Sequence, residues 1–140
     1  MKPFLKSIFS TLNVVTNKLL MDSSHHKGIF GKIGVIGGSI EYTGAPYYAA
    51  VSALYAGAEL SHIFCYPDAA IPIKSYSPEI IVHPTLGTGF ENTVKWLPSC
   101  DCLVIGPGLG RDLKFIDELS RIVTAANNSG IWISRYSNGD

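Results

Sequence analysis

Short apolar runs alternate with amphipathic segments along most of the chain, which predicts an α/β fold. Five runs have the length of buried strands and are bounded by glycine, proline or polar residues: 33–36, 61–66, 79–82, 102–105 and 131–133. Between them, apolar residues recur at helical spacing in the segments 45–57, 91–97 and 112–127. Because strands that are apolar throughout and separated by helices are typical of sheets covered on both faces, we expect a doubly wound, mainly parallel sheet.

The N-terminal segment carries a separate pattern. Apolar residues repeat at helical spacing from Leu5 to Leu20, which predicts a helix docked on the domain, followed by a polar connector up to residue 30. Lysines but no acidic residues precede Asp22, so the segment also resembles a mitochondrial presequence. We predict a cytoplasmic protein, with the mitochondrion as the alternative.

The α/β pattern stops after the fifth predicted strand. Residues 134–140 form a polar tail that no helix follows, so we divide the chain into 1–30, a partial α/β domain at 31–133, and this tail. We expect a sheet truncated after about the fifth strand. Since such a sheet exposes apolar strand faces and an unpaired edge, we also expect association into a homo-oligomer.

Composition excludes several classes of function. Eleven basic residues balance eleven acidic ones, so no charge field favours binding to nucleic acid or to an anionic membrane surface. No apolar run is long enough to cross a bilayer. The three cysteines (Cys65, Cys100 and Cys102) are too few for a disulfide framework, and Cys100 and Cys102 lack the second pair that a zinc site requires. We interpret them as reduced and predict no metal site.

Two glycine-rich turns are the candidate binding elements. Gly37-Gly38-Ser39 follows the first strand, and the segment 106–112 follows the fourth; each leads towards a helix. Glycine lets backbone amides approach an anion, and ligands of open α/β sheets gather at the carboxyl ends of the strands. We therefore predict a nucleotide or phosphate site between the two turns. Neither turn matches a standard phosphate fingerprint, so a purely structural role stays open.

The sequence shows no catalytic constellation. A nucleophile elbow requires a glycine two residues after the serine, and Ser39 has none at that position. The four histidines lack the spacing of zinc ligands. We interpret His62 as a strand-edge residue and His83, beside Pro84, as the histidine nearest to the ligand edge. No pair of carboxylates stands out as acid and base.

The segment from Gly31 to Asp112 resembles a known family. Seven motifs carry the resemblance in order along the chain: Gly31–Ser39, Glu41–Tyr47, Ala58–Cys65, Ile73–Glu79, Ile81–Pro84, Trp96–Pro98 and Gly106–Asp112. They are similar to the opening of the eukaryotic ATP-dependent (S)-NAD(P)H-hydrate dehydratases, which are nucleotide-repair enzymes with a ribokinase-like fold.

The resemblance implies a reaction, its cofactors and part of a site. The family uses ATP and Mg²⁺ to dehydrate the S form of hydrated NADH or NADPH (NADHX or NADPHX), by phosphorylating the ring hydroxyl and then eliminating phosphate. Phosphorylation turns a poor leaving group into a good one. By resemblance, Gly106, Gly108 and Gly110 line the site of the hydrated nicotinamide, and Ala45 makes a second substrate contact.

The chain departs from the family pattern near its end. Ser134-Arg135-Tyr136-Ser137 stands where the family has an aspartate-rich turn, and the nucleotide-binding segments and the motif with the catalytic aspartate are absent. We therefore predict no catalytic residue in these 140 residues and no turnover by this chain alone. Two alternatives stay open: a non-catalytic nucleotide-binding module, and another Rossmann- or flavodoxin-like protein.

Overall fold

The computed structural model of the chain describes residues 30–111 and 115–135. Its strands are β1 (Lys32–Ile36), β2 (Leu60–Cys65), β3 (Ile81–Pro84), β4 (Cys102–Ile105) and β5 (Trp132–Arg135). They form one sheet in the order β3-β2-β1-β4-β5, and every neighbouring pair is parallel. The predicted mainly parallel α/β sheet is confirmed.

Helices connect the strands. They are α1 (Gly44–Tyr55), α2 (Pro67–Tyr76), α3 (Phe90–Val94), a 3₁₀ turn (Leu97–Ser99) and α4 (Ile116–Asn128). The predicted helix 45–57 corresponds to α1, and the described part of 112–127 corresponds to α4. The predicted helix 91–97 is shorter than expected: α3 ends at Val94, and a separate 3₁₀ turn containing Pro98 follows it.

The sequence interpretation missed α2. Two prolines obscure its helical spacing, but Pro67 occupies the first turn, where a missing N–H costs no helical hydrogen bond. Pro72 is exposed inside the helix. Burial of Ala69, Ala70 and Ile73 against the sheet outweighs the helix-breaking tendency of Pro72.

Both faces of the sheet are covered. Successive strand residues point to opposite sides, so Val35 and Ile63 pack in one core while Ile36 and Phe64 pack in the other. The first core also contains residues of α1 and α2, and the second contains residues of α4 and the 3₁₀ turn. This is the doubly wound arrangement that the apolar strands predict.

The structure contradicts our interpretation of His62. It lies in the interior strand β2 and is 6 % exposed, so its interpretation as a strand-edge residue is wrong. Its Nδ1 is 3.0 Å from Nε2 of His83, which lies in β3 and whose ring contacts Trp96 at a centroid distance of 4.5 Å. The pair forms because residues 62 and 83 occupy adjacent strands and face the same side of the sheet.

Several predictions fall beyond the described residues. The helix from Leu5 to Leu20 and the tail beyond Arg135 lie outside them. Within the described part, β5 continues through Ser134 and Arg135, two residues into the segment that we interpreted as a tail. No helix of residues 30–111 and 115–135 has both the length and the hydropathy of a membrane span.

Candidate functional site

The two glycine turns lie side by side at one edge of the sheet. They follow β1 and β4, which are adjacent parallel strands with Ile36 opposite Ile105. Main-chain hydrogen bonds join them: the Gly38 N–H donates to the Gly108 carbonyl at 3.2 Å, and the Gly106 N–H donates to the Ile36 carbonyl at 3.1 Å. The turns therefore form one unit at the carboxyl edge of the sheet, where ligands of open α/β sheets bind.

Glycine is required where the turns touch. A Cβ on Gly37 would collide with the carbonyl oxygen of Pro107, and a Cβ on Gly108 would collide with the carbonyl oxygen of Tyr42. Gly108 also has a φ of +66°, a left-handed conformation that is costly for other residues. The close approach of the two turns thus depends on side-chain-free positions in both.

A cleft of about 520 Å³ opens beside the joined turns. This volume is within the usual range for small-molecule sites. Residues from the ends of three strands line it: Ser39, Ile40, Glu41, Tyr42, Tyr66, Pro67, Asp68, Leu109, Gly110 and Arg111. The cleft thus combines apolar and aromatic side chains with carboxylates, a guanidinium group and glycine backbone.

The four residues implied by resemblance occupy different positions. Gly110 lines the cleft. Gly106 and Gly108 lie in the same turn but hold it against the first turn, through the two hydrogen bonds given above. Ala45 is exposed in the first turn of α1 and is not among the lining residues. The structure thus brings one of the four directly to the cleft.

The polar groups of the cleft suit a ligand with both anionic and hydroxyl groups. Arg111 is exposed and can pair with a phosphate, whereas Glu41 and Asp68 can accept hydrogen bonds from hydroxyls. Ser39 is 8 % exposed, and its Oγ has no hydrogen-bond partner among the described residues. This Oγ lies beneath Gly110, 3.4 Å from the point that a Cβ there would occupy.

The wall formed by Tyr66, Pro67 and Asp68 was missed in the sequence, because these residues begin the unpredicted helix α2. A signal was present: proline in the first turn followed by an acidic residue is typical of a helix start. The wall brings the N-terminal end of α2 to the cleft, and the dipole of that end favours negative charge.

Tyr66 is supported from behind by two elements. Its ring lies 5.1 Å from the ring of Phe115 and contacts Gly87, where a Cβ would be 3.2 Å from the tyrosine ring. A carboxylate oxygen of Glu118 accepts the Gly87 N–H at 3.2 Å. Burial raises the pKa of Glu118, while the Gly87 hydrogen bond and Arg121 act in the opposite direction. Phe115, which precedes α4, and Glu118 of α4, through Gly87, therefore hold this wall of the cleft.

The cysteine and histidine side chains nearest to the cleft are buried. In residues 30–111 and 115–135, no three His, Cys, Asp or Glu side chains cluster as metal ligands would. Cys65 lies beneath Gly38, and burial raises its pKa to about 12, an effect that Lys74 partly offsets. Its thiol is therefore protonated at neutral pH and is no nucleophile. His83, which we expected near the ligand edge, is paired with His62 and does not line the cleft.

Known structures share this fold. A ribokinase-like superfamily protein from Enterococcus faecalis matches with a TM-score of 0.67 and 27 % identity, over 81 % of this chain and 39 % of that chain. The ADP/ATP-dependent NAD(P)H-hydrate dehydratase of Bacillus subtilis, co-crystallised with ATP/Mg²⁺, matches with a TM-score of 0.61 and 19 % identity, over 82 % and 40 % of the two chains. The ribokinase-like fold is confirmed.

Sequence comparison gives the family. Residues 33–132 match the family profile described as NAD(P)H-hydrate dehydratase. A relative from Entamoeba histolytica, named ATP-dependent (S)-NAD(P)H-hydrate dehydratase, is 47 % identical over 95 % of this chain and 44 % of its own length. The human protein of the same name is 47 % identical over 92 % of this chain and 41 % of its own length. The chain thus spans less than half the length of these relatives. It belongs to the NAD(P)H-hydrate dehydratase family.

Proposed function

We propose that this chain is part of an ATP-dependent (S)-NAD(P)H-hydrate dehydratase, a carbon–oxygen lyase of nucleotide repair, and that its cleft binds NADHX or NADPHX. One observation carries the proposal: in a member of this family, two glycine turns join at the carboxyl edge of the sheet beside a cleft of about 520 Å³. Family membership disfavours the alternative of an unrelated Rossmann- or flavodoxin-like protein.

The chemistry of the cleft supports this substrate. A hydrated dinucleotide carries a pyrophosphate, ribose hydroxyls and two rings, which need cationic donors, acceptors and apolar surface respectively. Arg111, Asp68 and the apolar lining residues offer these three kinds of partner. In this proposal Gly110 contacts the substrate, while Gly106 and Gly108 keep the second turn in place.

The proposed reaction also uses ATP and Mg²⁺. The relatives' names and the Bacillus subtilis structure with ATP/Mg²⁺ support this cofactor pair for the family. In residues 30–111 and 115–135, no three His, Cys, Asp or Glu side chains cluster as ligands of a metal ion. By the resemblance, the motif with the family's catalytic aspartate is not among these 140 residues. We therefore expect no recovery of NADH absorbance when this chain alone is mixed with NADHX, ATP and Mg²⁺.

We also propose a cytoplasmic location and assembly into a homo-oligomer. The described cysteines are unpaired, which supports a reducing compartment such as the cytoplasm, with the mitochondrion as the alternative. The exposed side chain of Trp132 on the edge strand β5 supports our expectation of a homo-oligomer.

Calorimetric titration of the purified chain with (S)-NADPH hydrate tests the proposal. We expect weak binding, with Kd on the order of 1 mM. The cleft formed by this chain offers few contacts to offset the free-energy cost of association. Gly110→Ala should weaken binding further, since the new methyl group would enter the cleft beside Ser39.

Gly130→Ala is the matched control for Gly110→Ala. Gly130 has a φ of +70° and Gly110 a φ of +80°, so alanine causes similar backbone strain at both positions. Nothing lies within 4 Å of a Cβ on Gly130, and this residue does not line the cleft. Equal loss of binding in both variants, or no heat from the unsubstituted chain near saturating hydrate, would count against a substrate site in the cleft.

A further inference from the structure

Two large apolar side chains of the cleft are exposed. Ile40 is 65 % exposed and Tyr42 is 53 % exposed, and both belong to the turn after β1. Scattered apolar residues on a convex surface need no explanation, but apolar and aromatic side chains in a concave site are typical of ligand contact. These two residues therefore mark the apolar part of the cleft.

The main chain at Tyr42 is fixed on both sides. Its N–H donates to the Ser39 carbonyl at 3.1 Å, and its carbonyl and Cβ pack against Gly108. The next residue, Thr43, has its Oγ1 2.7 Å from the hydroxyl of Tyr76 on α2. A rigid backbone that carries an exposed ring reduces the entropy lost when a ligand binds to that ring.

The other aromatic residue of the cleft is already engaged by the protein. Tyr66 is half-buried and lies against Phe115 and Gly87. Its ring therefore has less free surface for a ligand than the ring of Tyr42 has. The polar lining residues Asp68 and Arg111 suit hydroxyls and phosphates, which leaves Tyr42 and Ile40 for an apolar, flat group.

We propose that Tyr42, with Ile40 of the same turn, stacks against a heterocyclic ring of the dinucleotide and so contributes to the affinity of the cleft for its ligand. This inference rests on the proposed function and adds a residue that the family resemblance does not supply. Stacking on an aromatic side chain depends on the faces of the two rings and needs no hydrogen bond to the ligand ring. The tyrosine hydroxyl is therefore dispensable, whereas the ring is not.

Binding of (S)-NADPH hydrate to three variants tests this role. Tyr42→Ala should raise Kd at least about tenfold, which corresponds to about 1.4 kcal/mol, whereas Tyr42→Phe should stay within about twofold of the unsubstituted chain because it keeps the aromatic ring. Tyr55→Ala is the control: Tyr55 is 87 % exposed on α1 and does not line the cleft. Circular dichroism melts should show that all variants fold, and Tyr42→Leu replaces Tyr42→Ala if the alanine variant does not.

Two further titrations identify the ring. AMP supplies adenine alone, and the S hydrate of reduced nicotinamide mononucleotide supplies the hydrated nicotinamide ring alone. The mononucleotide whose affinity falls in Tyr42→Ala contains the ring that stacks on Tyr42. An effect on either supports the inference.

The outcomes separate this inference from the proposed function. If the unsubstituted chain binds the hydrate and Tyr42→Ala binds it equally well, the stacking role is wrong while the substrate site stands. If Tyr42→Phe loses as much affinity as Tyr42→Ala, the hydroxyl and not the ring makes the contact, and the stacking role is again wrong. If the unsubstituted chain does not bind the hydrate, the proposed function is wrong and the inference with it.

Discussion

Replacing Gly37 with alanine should disrupt the joint between the two glycine turns. The Cβ of an alanine here would collide with the carbonyl oxygen of Pro107 and would lie 2.9 Å from the carbonyl carbon and 3.3 Å from the nitrogen of the same residue. Ordinary contacts of a Cβ are 3.4–4 Å. Because the atoms it meets are main chain, no side-chain rotation relieves the clash, and one turn has to move away from the other.

The magnitude follows from what the movement disrupts. Overpacking of a close-packed region costs about 1–3 kcal/mol. The displacement also weakens the hydrogen bonds from Gly38 to Gly108 and from Gly106 to Ile36, each contributing about 0.5–1.5 kcal/mol. We expect a loss of about 3 kcal/mol in the free energy of unfolding, a large fraction of the stability of a small domain. Opening of the joint should also abolish binding of (S)-NADPH hydrate.

Urea unfolding followed by circular dichroism measures the effect, with Gly57→Ala as the control. Gly57 has a φ of +107° and nothing within 4 Å of a Cβ, so alanine there causes conformational strain alone, about 1–2 kcal/mol. Gly37 has the opposite combination, a permitted φ but no space. If Gly37→Ala costs no more than Gly57→Ala, or keeps the full affinity for the hydrate, close approach of the turns is not what requires glycine.

Two further predictions concern buried titratable groups. Burial lowers the pKa of His83 to about 4, and His62, Lys74 and Lys95 add to this effect. Burial, with Lys32, also lowers the pKa of His62. The unfolded chain therefore binds protons first as the pH falls below 6.5, and about 2–3 kcal/mol of stability should be lost by pH 4. Urea midpoints of the chain and of a His62→Gln/His83→Gln double variant from pH 7 to 4 check this, and equal slopes would refute it. Burial also raises the pKa of both Cys65 and Cys102, but Cys65 is fully buried whereas Cys102 is partly exposed, so iodoacetamide should label Cys102 first. Mass spectrometry of timed samples measures the order, and earlier labelling of Cys65 would contradict this prediction.

The fold was largely predictable because each strand is a short apolar segment bounded by turn residues in the local sequence. The fourth strand was predicted at its observed bounds, since a polar residue precedes Cys102 and a glycine turn follows Ile105. Helix α2 was not predicted, because Pro67 and Pro72 obscure its apolar spacing. Burial of Ile73 and its neighbours against the sheet stabilises this helix. Local patterns do not report how much a helix gains from packing on a sheet that forms elsewhere in the chain.

The candidate site was predictable only in part for the same reason. The order of the sheet decides which strand ends meet, and it places the turns after β1 and β4 side by side. It also sets the contact between His62 and His83, which depends on the register of β2 with β3 and which no local spacing reveals. The wall at Tyr66 could not be placed without α2. The sequence motifs thus predicted the two sides of the cleft formed by the glycine turns. The third side, which begins at Tyr66, became visible only from the order of the strands.

The two glycine turns hold each other in place and also border the cleft. Gly37 and Gly108 have no room for a side chain because the turns touch, and this contact sets the position of Gly110 above Ser39 at the floor of the cleft. All of the lining residues lie between Ser39 and Arg111, at the ends of β1, β2 and β4, which are neighbours in the sheet. The shape of the cleft is therefore set by contacts within this part of the chain.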